Sequence, residues 1–433
     1  MKHAALIPLG LIAGLALAPP ATAERTYPPE KARAALEKLL LENIVPFWYP
    51  GVIDEAEGGY RLNHAADGRW LGPADKAIVT QARTAWFFSR LAGTKYGRPE
   101  HLEAARHGFA FLKSKMWDHE HGGFFWSVDH DGSSPVSAVK HMYGQGFGLY
   151  ALSEYIRASK DPEAVQLAKD LFTLMETKAH DEQFGGYLEL FPRNWSRRPE
   201  DLPPGGGGLA GPAPTFGRKL MNTHLHLMEP LTTYYEVSGD EIVRERLLEL
   251  IFVESNAVVR KDLGACTDRY ERDWTPLSGG TNDHVSYGHD IENVWLLIRA
   301  CDAARISNGP LTDLYRTLFR YSLEHGWDAE HGGFYDSGPF RQDADQRGKT
   351  WWVQAEGLAS ALHVYRLTGD ERYYDVFDKT LGWIMEKQAD WEHGDWHDFV
   401  GDRPPSQKAG PWKSPYHNGR AVLECLEILD GMR

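Results

Sequence analysis

Six residues that carbohydrate chemistry could use recur along this chain at nearly constant intervals. Successive members are 60, 83, 63, 63 and 65 residues apart. They are Arg83, Tyr143, His226, His289, Trp352 and His417. Histidine titrates near neutrality, so a pair of histidines can exchange the roles of general base and general acid. An arginine can hold a developing oxyanion, and the aromatic rings offer flat apolar faces to a sugar.

The spacing indicates an internal repeat. The one long interval contains the run PPGGGGLAGPAP at 203–214, and removing a loop of roughly 20 residues there restores the period. A second marker, two glycines followed by an aromatic residue, keeps the same phase. These triplets begin at Gly58, Gly122, Gly185 and Gly332, with a degraded copy at Gly394. We interpret the glycines as structural turns, and the repeat as copies of one supersecondary unit that each deliver one side chain to a shared centre.

Apolar residues recur with helical periodicity in twelve segments. They are 29–47, 79–94, 99–116, 139–158, 162–178, 218–237, 241–258, 290–305, 311–325, 350–367, 371–388 and 418–431. Between alternate helices, short aromatic segments such as 122–129 and 185–191 predict small hairpins or extended loops. Six helical pairs predict an all-α (α/α)6 barrel with inner and outer rings and short β-hairpin loops. The candidate residues then stand near the starts of inner helices, whose first turns line one cup that favours oxyanions.

The sixth helical segment, 218–237, carries two histidines with different expected roles. Helical spacing places Asn222, His226 and Glu229 on one face, whereas His224 points elsewhere. The His-x-His pattern resembles a metal pair, but neither an HExxH motif nor paired cysteines accompany it. We therefore predict no catalytic metal.

The later segments pair an aromatic or basic residue with a carboxylate. His289 and Glu292 share a helix face, so the carboxylate can orient the imidazole. Trp352 and Glu356 share a face in the same way, and Trp412 stands shortly before the last histidine. A single histidine at a helix start is usually a cap or a satisfied core residue. Three histidines in phase with a repeat favour a catalytic function instead.

This set of residues suits the removal of a proton next to a sugar aldehyde and its return. The aldehyde forms when a reducing sugar opens its ring, which itself needs acid and base assistance. Two bases on opposite faces of C2 would invert that carbon, with an arginine holding the enediolate oxygens. Glycoside hydrolysis would instead need two carboxylates flanking the scissile bond.

Composition and the N-terminal segment describe the setting in which the protein works. Residues 1–23 combine a basic start, an apolar run over 4–18 and a small-residue cleavage site, which predicts a signal peptide and an exported, periplasmic or secreted protein. Residues 24–433 then form a single (α/α)6 catalytic domain. Three cysteines provide no disulfide framework. A net charge of -14 disfavours nucleic acid and anionic membranes, so we expect a small neutral partner. We also expect a monomer.

Four segments closely resemble a known family. MNTHLHLME, SYGHDIE, WWVQAE and GPWKSPYHNGR are similar to the cellobiose 2-epimerases of the N-acylglucosamine 2-epimerase superfamily. The similarity runs over essentially the whole chain after the signal segment, and the last two segments favour the disaccharide branch. The resemblance implies an (α/α)6 barrel and epimerisation without metal or cofactor. The reaction would occur at C2 of the reducing-end glucose or mannose in β-1,4-linked disaccharides of the cellobiose, lactose or mannobiose type.

The resemblance also implies roles by motif position. His289 and His417 would be the acid/base pair that acts on C2. His226 would assist ring opening and stabilise the intermediate, and Arg83 would bind the enediolate oxygens. The substrate site would be completed by Tyr143, Asn222, Glu292, Trp352, Glu356 and Trp412.

The sequence departs from the family at Pro230. Pro230 stands where the family tends to have alanine, and because proline removes a hydrogen bond within the helix, we expect a kink just after His226.

The main alternative function is an aldose–ketose isomerase of the mannose or glucose type, which would use the same residues but return the proton to C1. Less favoured are an (α/α)6 glycoside hydrolase, with Glu292 or Glu356 as its acid, and a non-catalytic glycan-binding protein.

Overall fold

The computed structural model describes residues 25–201 and 217–432. The expected signal peptide and the Gly/Pro run at 203–214 lie outside these residues. Twelve long helices follow one another along the described chain. They are α1 (Pro29–Lys38), α2 (Ile78–Ala92), α3 (Pro99–Phe111), α4 (Met142–Ser159), α5 (Pro162–Leu174), α6 (Met221–Ser238), α7 (Glu241–Phe252), α8 (Tyr287–Ala304), α9 (Thr312–His325), α10 (Trp351–Thr368), α11 (Glu371–Trp383) and α12 (Tyr416–Gly431). Each corresponds to one of the segments predicted from periodicity.

Most of the odd-numbered helices continue into a wider, π-helical turn. These turns are Leu39–Ile44 after α1, Leu112–Met116 after α3, Met175–Ala179 after α5, Val253–Ala257 after α7 and Ile384–Gln388 after α11. Helix α1 then adds a last α-helical turn over Val45–Trp48. Short 3-10 turns are found at Pro199–Asp201, Gly280–Asp283 and Gly309–Leu311. No helix in the described part of the chain is long and apolar enough to cross a membrane.

The even-numbered helices form an inner ring. Each packs against the next from α2 to α12, and α12 packs against α2, so the ring closes. Helix α4 is buried at every position from Met142 to Ile156, as expected for a helix surrounded on all sides. The outer helix α9 is instead buried along a stripe that includes Tyr315, Leu318 and Ser322. The predicted (α/α)6 barrel is confirmed.

Fifteen short strands lie in the described loops. They are β1 (His64–Ala65), β2 (Lys76–Ala77), β3 (Ser127–Val128), β4 (Pro135–Ser137), β5 (Lys140–His141), β6 (Leu190–Phe191), β7 (Lys219–Leu220), β8 (Val259–Arg260), β9 (Ala265–Cys266), β10 (Arg269–Tyr270), β11 (His284–Ser286), β12 (Ser337–Pro339), β13 (Lys349–Thr350), β14 (Phe399–Val400) and β15 (Gln407–Ala409). Neighbouring repeats are joined by the antiparallel pairs β2–β3, β5–β6, β7–β10, β11–β12 and β13–β14. The pair β1–β15 joins the first repeat to the last, so the strands mainly link repeats rather than form local hairpins.

A recurring set of contacts fixes the start of an inner helix. The strand lysine Lys140 reaches Asp118 in the preceding loop at 3.0 Å, with both side chains buried. Gln145, in the first turn of α4, accepts a hydrogen bond from the backbone N–H of Phe124, just after the glycine pair. Because both glycines of the pair adopt positive φ, the turn needs residues without Cβ. The glycine pairs therefore position the helix starts.

Helix α6 accommodates the proline that was expected to kink it. The helix runs as one segment from Met221 to Ser238 with Pro230 inside it. Proline leaves the carbonyl of His226, four residues earlier, without its usual intrahelical donor. A Cβ added at Gly146 of α4 would lie 3.0 Å from that carbonyl oxygen. The two inner helices therefore approach closely at this point.

Candidate active site

The six repeated residues meet in the cup formed by the first two turns of the inner helices. Arg83 Nη2 donates to Tyr143 Oη at 2.9 Å, and ring centroids are separated by 5.2 Å for Tyr143 and His226, 6.5 Å for His226 and His417, 5.8 Å for His417 and Trp352, and 4.8 Å for Trp352 and His289. These contacts join residues that are far apart in sequence into one continuous group. The repeat therefore brings all six side chains to one place.

A carboxylate holds His417. The Nδ1 atom of His417 lies 2.6 Å from Glu356 Oε1, and Glu356 Oε2 accepts a hydrogen bond from Trp295 Nε1 at 2.8 Å. This arrangement favours the tautomer with the proton on Nδ1 and leaves Nε2 as an acceptor. Burial, together with Arg83 and Arg420, lowers the pKa of His417 well below its usual value. The neutral imidazole is thus suited to act as a general base.

His226 forms a second histidine–carboxylate pair. Its Nδ1 lies 3.3 Å from Glu229 Oε2, and its Nε2 lies 3.9 Å from Glu292 Oε2. Burial lowers the pKa of His226 to about 4. Although burial alone would raise the pKa of Glu229, Arg420 and His226 lower it to about 2. The pair is therefore a neutral imidazole beside an ionised carboxylate.

One buried guanidinium connects these acidic groups. Arg420 Nη2 donates to Glu292 at 2.7 Å and to Glu356 at 2.8 Å, while Nη1 bonds to Glu229. Burial and repulsion from Glu356 raise the pKa of Glu292 well above its ordinary value. Glu292 therefore retains a proton more readily than an ordinary glutamate does.

Arg83 is clamped between two aromatic rings. Its guanidinium carbon lies 4.1 Å from the ring centroid of Phe147 and 4.6 Å from that of Tyr416. Cation–π contacts of this kind strengthen when the cation is removed from water, and Arg83 is only 3% exposed. The clamp holds the guanidinium in place before any substrate oxygen arrives, as preorganised stabilisation of an oxyanion requires.

His289 has a more open setting. Its ring packs on Trp352, tilted by 35°, and the residue is only partly buried. It lines a cavity of about 430 Å³ whose rim includes the exposed residues Thr281 and Gln346. Burial of the ring lowers the pKa of His289. Glu292, which we expected to orient this imidazole, lies one helical turn deeper and bonds to the buried guanidinium instead.

The residues expected to bind sugar are of two kinds. The rings of Tyr143 and Trp352 contact the histidines of the cup, and Trp412 lies 6.3 Å from Tyr143. Asn222 is partly exposed at the start of α6, and its Oδ1 lacks a hydrogen-bond partner among the described residues. The two remaining residues, Glu292 and Glu356, are fully buried and accept hydrogen bonds from Arg420. They therefore position other groups from beneath the cup.

His224 lies apart from this group. Its Nε2 accepts a hydrogen bond from the backbone N–H of Tyr187 at 2.9 Å, and its Nδ1 lies 2.7 Å from the carbonyl oxygen of Leu220. The first of these contacts is the one that a glutamine makes in other repeats, where Gln145 accepts from the backbone N–H of Phe124. Burial lowers the pKa of His224 to about 3. As its helical phase indicates, it holds a loop and does not face the cup.

One group of side chains in the described chain has the spacing of a metal site. Ligand atoms of Glu292, Glu356 and His417 lie within 4.8 Å of one another. Both glutamates already bond to Arg420, whose positive charge offsets the negative charge of their carboxylates. That no metal takes part stays a prediction.

Sequence reasoning gave no role to several residues that shape the site. Arg420 and Tyr416 lie within one turn of His417, so their place near the cup could have been inferred from helical spacing. Phe147 stands one turn after Tyr143 on α4 and could have been found in the same way. Which carboxylates Arg420 binds could not have been inferred, because they stand on three other helices.

Comparisons with known proteins place the chain in a family. The family description of N-acylglucosamine 2-epimerase (GlcNAc 2-epimerase) matches residues 58–203 and 209–421. A cellobiose 2-epimerase of Ruminococcus albus is 33% identical over 400 residues, which cover 89% of this chain and 96% of the relative. A D-mannose isomerase of Marinomonas mediterranea is 25% identical over 419 residues, which cover 93% and 99%. The solved structure of a cellobiose 2-epimerase from Spirochaeta thermophila has 32% identity and a TM-score of 0.80, with 93% of this chain and 98% of that one covered. The chain is therefore an isomerase that acts on carbohydrate and belongs to the N-acylglucosamine 2-epimerase family.

Proposed function

We propose that the protein interconverts the glucose and mannose configurations at C2 of the reducing-end residue in β-1,4-linked disaccharides. The observation that carries this proposal is the shared contact of His289 and His417 with Trp352, at 4.8 and 5.8 Å between ring centroids. Two imidazoles beside one flat apolar surface can approach a single sugar carbon from two directions. Relatives named cellobiose 2-epimerase support this choice of substrate.

Ring opening comes first and is assigned to His226. With Nδ1 held by Glu229, its Nε2 takes the proton of the anomeric hydroxyl. The C1–O5 bond then breaks, O5 takes up a proton, and an aldehyde forms at C1. Glu292, whose pKa burial raises, lies 3.9 Å from this imidazole and can supply a proton to the site.

Inversion then needs one base and one acid. One of the pair His289 and His417 removes the C2 proton, and the electrons of that C–H bond form the C1=C2 double bond. The π electrons of the C1 aldehyde move onto its oxygen, which becomes the enediolate oxyanion. Arg83 stabilises this oxyanion from its aromatic clamp. The other histidine, in its protonated form, returns a proton to the opposite face of C2. The ring then closes on the epimer, and the reverse reaction exchanges the two roles.

An aldose–ketose isomerase is the second candidate function. It is favoured by the relative named D-mannose isomerase, which matches nearly the full length of the chain. The same enediolate would form, but the proton would return to C1, and a hydroxyl proton would move from O2 to O1. A glycoside hydrolase has less support, because Glu229, Glu292 and Glu356 all bond to Arg420, whereas hydrolysis needs carboxyl groups on both sides of the bond.

We further propose that the protein is exported and acts as a monomer. The signal-like segment at 1–23 supports export to the periplasm or the medium. Cell fractionation and the N-terminal sequence of the mature protein test the first point, since an uncleaved cytoplasmic protein would contradict it. Light scattering of the purified protein tests the second.

Incubation with cellobiose in D2O, followed by NMR of the reducing end, tests the reaction class. Deuterium at C2 together with a mannose-configured reducing end supports epimerisation. A ketose product with deuterium at C1 would favour the isomerase, and free glucose would favour the hydrolase. An unchanged spectrum with cellobiose, lactose and mannobiose would overturn the proposal. The variant His417→Ala, purified in parallel, excludes a contaminating activity.

A further inference from the structure

A cavity of about 540 Å³ opens beside the cup. Its walls come from residues within 54–77, from Trp126 and its neighbours, and from 410–412 ahead of α12. Its volume falls in the range of roughly 300–1,000 Å³ that is typical of small-molecule sites. The cavity borders the candidate active site at Trp412, which lines the cavity and whose ring lies 6.3 Å from that of Tyr143.

The proposed chemistry decides what can extend into this cavity. Only the reducing-end residue of an oligosaccharide can open its ring, so that residue must lie among the three histidines. Every further sugar residue must then lie outside the cup. A chain that leaves the cup past Trp412 enters the cavity next.

Aromatic rings line this path. Trp412 and Trp126 have ring centroids 6.2 Å apart. Trp70 lines the same cavity and is 42% exposed, and the guanidinium of Arg61 lies 5.4 Å from its ring centroid. A tryptophan that borders a cavity offers a large, rigid apolar face to a ligand at a low cost in conformational entropy. The cavity therefore offers stacking surfaces outside the cup that holds the reducing-end residue.

The polar lining suits an uncharged, hydroxyl-rich ligand. Asp54 is paired with Lys76 at 2.7 Å, so its charge is already balanced. Glu57, Asp75 and Arg61 supply further acceptors and donors. The cavity beside His289 differs, because the described residues that line it include no tryptophan, tyrosine or phenylalanine. A sugar chain therefore finds stacking surfaces on the Trp412 side.

We infer that the 540 Å³ cavity includes a subsite for a third hexose residue. The substrates used best are then linear β-1,4-linked oligosaccharides of three or more residues, with Trp70 as the stacking surface for the third. This inference rests on the proposed function, because it takes the reducing end to lie in the cup.

The test compares cellobiose, cellotriose and cellotetraose as substrates of the intact protein. We expect kcat/KM to rise about 5-fold from the disaccharide to the trisaccharide, as one aromatic contact allows, and then to level off. Trp70→Ala should abolish that rise and leave cellobiose turnover unchanged. Trp391→Ala is the matched control, because Trp391 is 41% exposed and does not line the cavity. It should preserve the rise.

Equal kcat/KM values for all three sugars, or a rise that survives Trp70→Ala, would overturn the subsite. Binding measured by calorimetry separates this failure from failure of the proposed function. If no sugar is epimerised but cellotriose binds about 5-fold tighter than cellobiose, and Trp70→Ala removes the difference, the subsite stands without the reaction. If the sugars are turned over and chain length has no effect on rate or affinity, the reaction stands without the subsite.

Discussion

The two histidines proposed to act on C2 occupy opposite kinds of environment. His417 is 6% exposed and bonded through Nδ1 to Glu356, which is itself fully buried. His289 packs on Trp352 at the edge of a cavity of about 430 Å³ that opens towards solvent. One base is oriented by a carboxylate and sealed, whereas the other is oriented by an aromatic ring and is open.

This difference has consequences for both orientation and proton exchange. A carboxylate that holds Nδ1 selects one tautomer and stabilises the imidazolium formed in the reaction. A histidine held only by ring packing keeps both tautomers available. A proton taken up by a sealed imidazole has no direct route to water, whereas a proton on His289 can exchange through the cavity. The two half-reactions should therefore differ although the overall chemistry is symmetric.

The largest effects are expected from removing either imidazole. His289→Ala and His417→Ala should each lower kcat in both directions by at least about 100-fold, because each epimer needs one histidine as base and the other as acid. Steady-state rates from both epimers measure this. His284→Ala is the control, because His284 lines the same cavity as His289 and should keep nearly full activity. A variant that stays active in one direction only would break the two-base scheme.

The next largest effect is expected from removing the charge beside each histidine, which should matter for His417 and much less for His289. Glu356→Gln should lower kcat by about 100-fold. The amide oxygen of the variant can still accept a hydrogen bond from Nδ1–H of His417, but it carries no negative charge to stabilise an imidazolium. The counterpart Asp336→Asn removes a charge that acts on His289 only from a distance and should change kcat by less than about 5-fold. Thermal unfolding of both variants checks that they are folded. Equal losses would mean that the two histidines are held alike.

The sequence predicted the helices well because each ring leaves its own pattern. The segment that forms α4 has only two charged residues, Glu154 and Arg157, and is buried on every face, whereas the segment that forms α9 has a buried stripe. The phase of His224 away from the cup could also be read, since residues two apart on a helix face different ways. Local spacing was sufficient in these cases because the relevant contacts lie within one helix or its adjacent loop.

Helical spacing was not sufficient to predict the partner of a side chain that bonds to another helix of the ring. Glu292 and His289 share a face, yet Glu292 bonds to Arg420, 128 residues away. Glu356 was expected beside Trp352 at the sugar, and it lies beneath His417 instead. In both cases a buried carboxylate takes the nearest cation or donor in three dimensions, because an unpaired buried charge is costly. Such partners are known only once α8, α10 and α12 are placed side by side.

The difference in solvent access between the two histidines should also cause a smaller effect, which isotope exchange measures directly. In D2O, the epimer whose C2 proton passes to the open histidine should regain deuterium each time the intermediate returns to starting sugar. The epimer whose proton passes to His417 should regain mostly protium. NMR of the recovered starting sugar at low conversion, run separately from each epimer, measures the ratio. In His417→Ala, exchange without inversion should persist for only one epimer. Equal labelling of both recovered sugars would mean that the sealed and open sites exchange alike.

The smallest effect on turnover is expected at His224, a sealed histidine with both ring nitrogens bonded to backbone. Burial alone does not make a base, so His224→Gln, which copies the residue found at 81, 145 and 354, should change kcat by less than about 2-fold. Its effect should appear in stability instead. Because burial lowers its pKa to about 3, His224 stays neutral in the folded protein while the unfolded chain takes up a proton below about pH 6.5.

Stability therefore falls as the pH drops from about 6.5 towards 3. At pH 5 this one histidine costs about 2 kcal/mol of unfolding free energy. In His224→Gln, the loss of stability between pH 7 and pH 5 should be smaller by about that amount, as measured by urea unfolding at both values. His331→Gln alters an exposed histidine and should leave that loss unchanged. A large loss of turnover in His224→Gln, with the fold intact, would show that burial and helical phase do not separate structural from catalytic histidines in this barrel.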